Sequence, residues 1–230
     1  MPSDPDTAWL ALSLTGPLQS WGFEDRFNRR KTGLLPTRSG VIGLCCAALG
    51  AGRGTPEEQS WLEWFRRLSF TIAAVPRGEK PLPVRRMEDF HTVQNTRTAD
   101  GKTKDTHITY RTYLNDASFA VFICGGKTML TELHVALADP VWGIWLGRKC
   151  CIPSQPVLAG LFGTEAEAHQ AVLGNRPLQS LLHQREAADF SQGNDTIMDS
   201  PVTFADPRRF SPRRVHLHRP DAANTMFDSI

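Results

Sequence analysis

The stretch Ala8–Gly50 reads AWLALSLTGPLQSWGFEDRFNRRKTGLLPTRSGVIGLCCAALG and joins two structural elements through a cationic loop. Its apolar run, Ala8–Leu14, ends in a Gly-Pro turn, which is typical of a buried strand. The segment Ser39–Leu49 predicts a helix that closes at Gly50. The stretch therefore predicts a strand, a basic loop and a helix, in that order.

The loop and the helix start together predict an anion site. The cations of the loop are Arg26, Arg29, Arg30 and Lys31. Free N–H groups and the positive end of the dipole point at whatever binds the helix start near Thr37 and Ser39. The anion could be a phosphate, a nucleotide or a polynucleotide backbone. Alternatively, the arginines pair with Glu24 and Asp25, and the hydroxyls only cap the helix. The spacing matches neither a P-loop nor a dinucleotide fingerprint.

Composition describes an ordinary globular chain of 230 residues, with 40% hydrophobic and 22% charged residues and a net charge of +2. No apolar run approaches the ~18 residues of a membrane span, and the N-terminus lacks a signal-peptide layout. We therefore expect a cytoplasmic protein without membrane contact. The cysteines lack metal-like spacing, and no His, Cys, Asp and Glu cluster resembles a zinc site. We expect reduced thiols, no metal and no cofactor.

The apolar patterns along the rest of the chain predict an α+β fold. The order strand, helix, strand, strand, helix, strand is the ferredoxin-like pattern, and its last strand is short. Further along, the sequence predicts a helix, a mobile loop and a terminal strand that contains Val215 and Leu217. After the first strand and helix, the predicted elements are Pro56–Leu68, Phe70–Val75, Ser118–Cys124, Thr128–Ala138, Val141–Leu146, Glu165–Leu173 and the loop Phe190–Met198.

The segment Val84–Leu114 predicts a projecting β-hairpin. It is poor in aliphatic residues, and Asp100-Gly101 near its middle is the signal of a tight turn. Alternation along the second arm predicts two faces, one with Ile108, Tyr110 and Thr112 and the other with His107, Thr109 and Arg111. Such a ribbon either binds a ligand or is a tolerated insertion. Its hydroxyl and cationic side chains favour binding.

A second glycine-rich loop, Trp142–Lys149, pairs two indole rings with Arg148 and Lys149. Stacking combined with phosphate contact is a common way to hold single-stranded nucleic acid. The alternative is that both tryptophans belong to the core, as tryptophans usually do. The two cations are the better candidates for binding.

Histidines on the hairpin raise the alternative of catalysis. His91 and His107 lie on opposite arms, with Lys104 and Tyr110 nearby. Metal-independent RNA cleavage needs a base and an acid, and histidine can serve as either near neutral pH. Histidines that only form hydrogen bonds are far more common, so this evidence is weak.

Motifs along nearly the whole chain resemble the CasD family, the subtype I-E branch of the fifth Cas protein group in the RAMP superfamily. They occur in the family's order, and together they are specific. The matching segments are Gly16–Gly22, Arg30, Thr32, Pro36–Gly43, Asp89–Val93, Tyr113–Phe119, Leu146–Cys150 and Pro207–Phe210. The sequence departs from the family in its longer lead, Met1–Thr7, and in the pair Cys150-Cys151. The ribbon tip, Thr96–Lys104, matches poorly.

The resemblance implies a ferredoxin-like (RRM-like) palm with a protruding β-hairpin thumb. The palm would comprise residues 1–83 and 115–230, including a C-terminal extension, and the thumb residues 84–114. It implies a non-catalytic RNA-binding subunit of a type I-E CRISPR Cascade complex that holds the 5′ handle of crRNA. The implied partners are CasC-type backbone subunits, a CasA-type large subunit and, through the complex, target DNA. A related subtype I-C group cleaves RNA, so the alternative is a metal-independent crRNA-processing endoribonuclease.

The predicted RNA-binding residues are Gln19, Ser20, Trp21, Arg30, Thr37, Arg38, Ser39, Arg97, Lys102, His107, Arg111, Arg148 and Lys149. Of these, Arg30, Arg38 and the Ser39 helix start would hold handle phosphates, while Arg148 and Lys149 would close the opposite side. The three residues before Gly22 would offer hydrogen bonds and a stacking surface. The four thumb residues would separate the handle from the guide.

Overall fold

A computed structural model describes residues 6–22, 28–77, 84–98 and 100–220, with only the backbone at position 104. Its strands are β1 (Thr7–Thr15), β2 (Leu18–Gln19), β3 (Arg29–Arg30), β4 (Ser69–Ala74), β5 (Arg85–Arg97), β6 (Thr103–Asn115), β7 (Ser118–Gly126), β8 (Leu158–Phe162), β9 (His183–Glu186), β10 (Asp195–Thr203) and β11 (Arg209–His218). Its α-helices are α1 (Arg38–Leu49), α2 (Pro56–Phe65), α3 (Lys127–Ala138) and α4 (Glu165–Leu173). No helix in these described ranges is long and apolar enough to cross a bilayer.

Seven strands form one antiparallel sheet in the order β10-β11-β9-β4-β7-β1-β8. β1 pairs with β7 along its whole length and with β8 on its other side. The predicted α+β fold class is confirmed. β1 is an interior strand that is covered on both faces, which explains why its sequence is almost continuously apolar.

The two faces of β1 contribute to different parts of the core. Leu10, Leu12 and Leu14 are fully buried in the cluster that includes α1, α2 and α3. Ala11 points the other way, into a smaller cluster with α4. Because side chains alternate along a strand, this single segment anchors helices to both faces of the sheet.

Local signals define α1 well. The Thr37 hydroxyl accepts a hydrogen bond from the Gly40 backbone N–H, and Gly50 ends the helix at a φ of +73°. These are the expected N-cap and left-handed C-cap. The predicted helix is confirmed and begins one residue earlier than its apolar pattern, at Arg38. The second predicted helix ends earlier than expected, at Phe65.

The predicted fourth strand at Val141–Leu146 is wrong, because these residues lie in a loop that caps α1. The N–H groups of Val141 and Trp142 donate to the carbonyls of Ala48 and Ala47, at 3.0 and 3.1 Å. These carbonyls lie in the last turn of a helix, where no later residue of the helix can reach them. The strand beside β1 is instead β8.

The C-terminal part of the sheet differs in one place from its prediction. The segment Phe190–Met198 was expected to be a loop, but β10 begins within it at Asp195 and pairs with β11. The terminal strand that contains Val215 and Leu217 is confirmed as β11. The helix Glu165–Leu173 is confirmed with the same bounds.

The hairpin of β5 and β6 forms a second, four-stranded sheet. Its register runs from Arg85 opposite Asn115 to Arg97 opposite Thr103. Gly101 occupies the turn with a φ of +81°, as the Asp-Gly signal predicts. Two short strands flank the root of β6, β2 in antiparallel and β3 in parallel pairing. The hairpin root is therefore fastened to the segments that precede α1.

Candidate nucleic-acid interface

A cationic groove of about 340 Å³ opens at the hairpin root. Its lining residues are Arg29, Arg30, Lys31, Thr32, Arg86, Glu88, Tyr110 and Thr112. Glu88 is the carboxylate among these lining residues, 3.8 Å from the Arg29 guanidinium, and both side chains are more than half exposed. A pair this exposed neutralises little of the local potential. The groove therefore keeps a surplus of positive charge.

Strand pairing brings these residues together from three parts of the chain. In β3, Arg29 lies beside Tyr110 and Arg30 beside Arg111. The Arg29 guanidinium lies over the Tyr110 ring, 4.8 Å from its centroid. On the neighbouring strand, Arg86 reaches back to the Thr32 carbonyl at 3.5 Å.

The predicted glycine-arginine loop closes against the same root. Arg148 donates to the carbonyls of Thr112 and Arg30, at 3.0 and 2.9 Å. Its guanidinium also lies 4.7 Å from the centroid of the Tyr113 ring. Lys149 follows on the surface. Of the predicted RNA-binding residues, the structure thus brings Arg30, Arg111, Arg148 and Lys149 together.

Gly147 makes this approach of the loop possible. Its φ is +96°, and a Cβ there would lie 1.7 Å from the Ser20 carbonyl oxygen. Ser20 also donates its N–H to the Leu146 carbonyl at 3.0 Å. Only glycine tolerates both the backbone conformation and the contact. The position of Arg148 therefore depends on a glycine rather than on the charge itself.

The three residues before Gly22 have a structural role, contrary to the prediction. The Trp21 ring is 1% exposed, and its Nε1 donates to Gln19 Oε1 at 3.1 Å. Gln19 in turn donates to the carbonyls of Leu14 and Ala117. Ser20 is 3% exposed. A buried indole offers no face to a base, so the predicted stacking surface at Trp21 is wrong.

The helix start near Arg38 already holds an internal anion. Asp199 accepts the Arg38 backbone N–H at 2.7 Å, in the position predicted for a phosphate. The Arg38 side chain is buried and lies 3.0 Å from Glu186. Arg213 completes this internal ion network, with its Nε 2.6 Å from Asp199. The prediction that Arg38 and this helix start hold a handle phosphate is therefore contradicted.

The other hydroxyls of the helix start are engaged locally. The Thr37 hydroxyl is used by the Gly40 N–H, and the Ser39 hydroxyl donates to Thr37 Oγ1 at 3.3 Å. Within the internal ion network, burial raises the pKa of the Glu186 carboxyl, although Arg38 and Arg213 lower it. The same burial lowers the pKa of the Arg38 guanidinium, because it disfavours the charged form of either group. Desolvation thus opposes both charges, and their mutual contact offsets it.

Three of the four predicted thumb residues, Arg97, Lys102 and His107, do not gather at the groove; only Arg111 lies at the root, beside Arg30. Arg97 and Lys102 lie at the far end of arms that are 13 residues long, roughly 40 Å from the root. Lys102 is exposed and 3.3 Å from Asp100. His107 lies on the second arm, opposite Val93. These three side chains are spaced along the hairpin rather than gathered within one site.

The structure places His91 and His107 on one face of the hairpin and Tyr110 on the other. His91 lies opposite Thr109, and Tyr110 lies opposite Phe90. Adjacent positions point to opposite faces of a strand, so Tyr110 shares a face with neither His91 nor His107. The side chain at position 104, and Arg26 of the cationic loop, lie outside the described residues.

A family model for CRISPR-associated protein (Cas_Cas5) matches residues 9–216. The chain belongs to the Cas5 family. It is 30% identical over 211 residues to the CRISPR system Cascade subunit CasD of Escherichia coli (strain K12), covering 90% of this chain and 93% of that protein. The resemblance of its motifs to the CasD family is confirmed.

Two solved structures resemble this Cas5-family chain along nearly its full length. A chain of a CRISPR RNA-guided surveillance complex superposes with a TM-score of 0.71 at 28% identity, covering 94% of this chain and 92% of its own. A crystal structure of a Cas protein gives a TM-score of 0.64 at 31% identity, covering 91% and 93%.

Arg86 and Tyr110 line the groove and Phe90 lies opposite Tyr110, but none of the three was among the RNA-binding residues predicted from the sequence. The signal was present in the first arm, where Arg86, Glu88 and Phe90 alternate and so share one face. Conversely, Trp142 and Trp145 are 48% and 38% exposed, so they are not the core residues of the alternative interpretation.

Proposed function

We propose that this chain is a non-catalytic RNA-binding subunit of a type I-E Cascade complex and holds the 5′ handle of crRNA. Its family supports this proposal, as does its similarity to the Cascade subunit CasD and to a chain of an RNA-guided surveillance complex. The observation that carries the proposal is the convergence of cations from three separate segments at the hairpin root.

The proposed architecture follows the observed strand order. Strands β4-β7-β1-β8, with α1 and α3, have the strand order and connections of a ferredoxin-like palm. The long β5–β6 hairpin is the proposed thumb, so residues 84–114 form the insertion and the remainder forms the palm with its extension. The palm places the thumb root, and the thumb extends the basic surface away from it.

In this proposal, phosphates of the handle lie in the groove beside Arg29, Lys31 and Arg86. Phosphate contacts of this kind hold and orient a strand but do not read its bases. The loop with Arg148 and Lys149, which contacts β3 and β6, extends the positive surface next to the groove. The internal ion network and Trp21 support this surface from within and do not contact RNA.

The thumb gives the proposal its second part. Its cations Arg97, Lys102 and Arg111, together with His107, are spaced along the hairpin and separate the handle from the guide. CasC-type backbone subunits and a CasA-type large subunit are the proposed partners, and target DNA is reached through the assembled complex. The proposed location is the cytoplasm.

Binding of RNA to the full chain tests the phosphate groove. The double variant Lys31→Ala, Arg86→Ala should weaken binding of a labelled handle RNA and flatten its dependence on salt. Each phosphate of a single strand that is no longer neutralised lowers the log–log slope by about 0.7, so we expect a change of about 1.4. The measurement is fluorescence anisotropy over a series of salt concentrations.

The matched control is Arg67→Ala, which removes an exposed arginine from the turn after α2. It should leave both the affinity and the salt slope unchanged. The groove assignment fails if the double variant behaves like this control.

Incubation of the chain with labelled repeat RNA, without metal ions, separates binding from catalysis. We expect the RNA to remain intact, in line with the similarity to the Cascade subunit CasD. His91 and His107 share one face of the hairpin, so cleavage by this pair is the outcome to test. Cleavage at one position that disappears in His91→Ala or His107→Ala would establish the endoribonuclease instead.

A further inference from the structure

Phe90 is unusually exposed for a large apolar side chain. It is 58% exposed on the first arm of the hairpin, between Asp89 and His91. Most of the ring is open to solvent, and its two neighbours along the strand are polar. The ring lies on the face of the hairpin that carries Arg86 and Glu88, next to the charged groove.

The Phe90 ring contacts an aromatic ring on the neighbouring strand. Phe90 lies directly opposite Tyr110, with ring centroids 5.6 Å apart and planes at 75°. The Arg29 guanidinium covers the Tyr110 ring at 4.8 Å. We name Arg29, Tyr110 and Phe90 the stacking ladder. Arg29 and Tyr110 are held in place by the pairing of β3 with β6. The exposed Phe90 ring therefore packs against an ordered neighbour.

The charges around the stacking ladder indicate its occupant. Lys31 and Arg86 line the same groove as Arg29 and Tyr110. An apolar side chain of a protein partner would gain from the ring alone and would bring no charge to meet these cations. A nucleotide gains from both, because its base stacks on an aromatic ring while its phosphate meets the cations.

We propose that Phe90, supported by Tyr110 and Arg29, is a stacking platform for one unpaired base of the bound RNA. This rests on the proposed function, since the groove must hold the phosphates next to that base. Every base has a π-face, so the platform selects a position along the strand and tolerates any base there. It thereby sets the register in which the phosphates enter the groove.

Variants at position 90 separate stacking from simple apolar contact. Phe90→Leu keeps the apolar bulk but lacks a π-face, whereas Phe90→Trp enlarges it. In the full chain, Phe90→Leu should weaken binding of single-stranded handle RNA roughly 5- to 100-fold, with an unchanged salt slope. Phe90→Trp should bind at least as tightly as the parent. Phe210→Leu, at another exposed phenylalanine, is the matched control.

A series of RNAs with one abasic position each identifies the base. At a single position, removal of the base should weaken binding to the parent chain and leave binding to Phe90→Leu unchanged, as in a double-mutant cycle. The platform proposal would be overturned if, at every RNA position, the loss of affinity from removing the base and the loss from Phe90→Leu were additive. Unchanged RNA affinity in Phe90→Leu would also overturn it, including the case where this variant loses only its association with other Cascade subunits.

The two proposals can fail separately. A normal salt response in Lys31→Ala, Arg86→Ala refutes the phosphate groove, whatever happens at position 90. If each abasic RNA weakens binding to Phe90→Leu as much as binding to the parent chain, the platform is refuted and the groove assignment is unaffected. Thermal melting of each variant checks that it is folded, and replacing an exposed side chain such as Phe90 is not expected to alter the melting temperature.

Discussion

Two sets of arginines in this chain look alike in sequence and differ in what surrounds them. Arg213 donates to both carboxylate oxygens of Asp199, at 2.6 and 3.0 Å, and is buried. Arg38 is buried beside it and also donates to the Phe65 carbonyl at 2.6 Å. Arg29, by contrast, is 65% exposed in the groove, and the Glu88 carboxylate lies 3.8 Å away.

The difference shows how burial decides the role of a charge. A buried guanidinium loses its hydration, and internal carboxylates and carbonyls compensate its charge, so that charge is not available to a ligand. An exposed guanidinium stays hydrated and contributes to the field that attracts an anion. The internal ion network therefore holds the fold together, and the groove remains available to bind.

Removing one carboxylate from the internal ion network should have the largest effect on stability. Asp199→Ala leaves Arg38 and Arg213 buried with Glu186 alone and removes the acceptor at the start of α1. Breaking a buried ion pair on one side costs about 3–5 kcal/mol. Urea denaturation followed by circular dichroism would measure this decrease in stability.

The control is Asp195→Ala, an exposed carboxylate on the same strand β10. Its stability should stay within about 0.5 kcal/mol of the parent. Equal stability of Asp199→Ala and this control would contradict the assigned role of the network and remove the contrast between the two sets of arginines.

Much of the fold could be predicted because local chemistry defines it. The apolar run of β1, the Thr37 and Gly50 caps of α1 and the Asp100-Gly101 turn each act through neighbouring residues. β8 escaped prediction for a physical reason. It is short, it contains Gly160 at a φ of +150°, and its pairing with β1 shifts register. A glycine inside a strand weakens the pattern from which strands are recognised.

The candidate site was predictable only in part. Arg30, Arg148 and Lys149 lie in segments whose composition indicated an anion, and the structure brings them together. The partner of Arg38 could not be inferred locally, because Asp199 lies 161 residues away in sequence. Pro36–Gly40 therefore has the pattern of an anion site, but the anion that it binds belongs to the chain itself.

Acid should lower the stability of the folded chain through its buried histidines, by less than removal of Asp199 does. Burial lowers the pKa of His183 below 6.5, and burial does the same at His169. The unfolded chain therefore takes up protons at a pH where these folded histidines remain neutral. The resulting stabilisation is present above pH 6.5 and is lost as the pH falls through the folded pKa values.

Denaturation midpoints at about pH 8 and about pH 5.5 measure this change. His183→Asn, which can still donate to the Leu181 carbonyl, should lose less stability between them. Glu186 acts in the opposite sense, because burial raises its pKa from 4.5, so comparison with the parent isolates the histidine. An equal pH response in the variant would contradict the assignment.

Arg148 is less buried than Arg38 and less exposed than Arg29. Its replacement should have the smallest effect on stability. Its fork donates to the carbonyls of Arg30 and Thr112, but those acceptors are neutral, so its charge remains available to RNA. Arg148→Lys keeps the charge and removes the fork, and we expect a decrease of about 1 kcal/mol in stability with an unchanged salt slope. Arg148→Gln removes the charge and should lower the slope by about 0.7. If both variants change the slope equally, then Arg148 acts by positioning the loop, and Lys149 supplies the charge that RNA meets there.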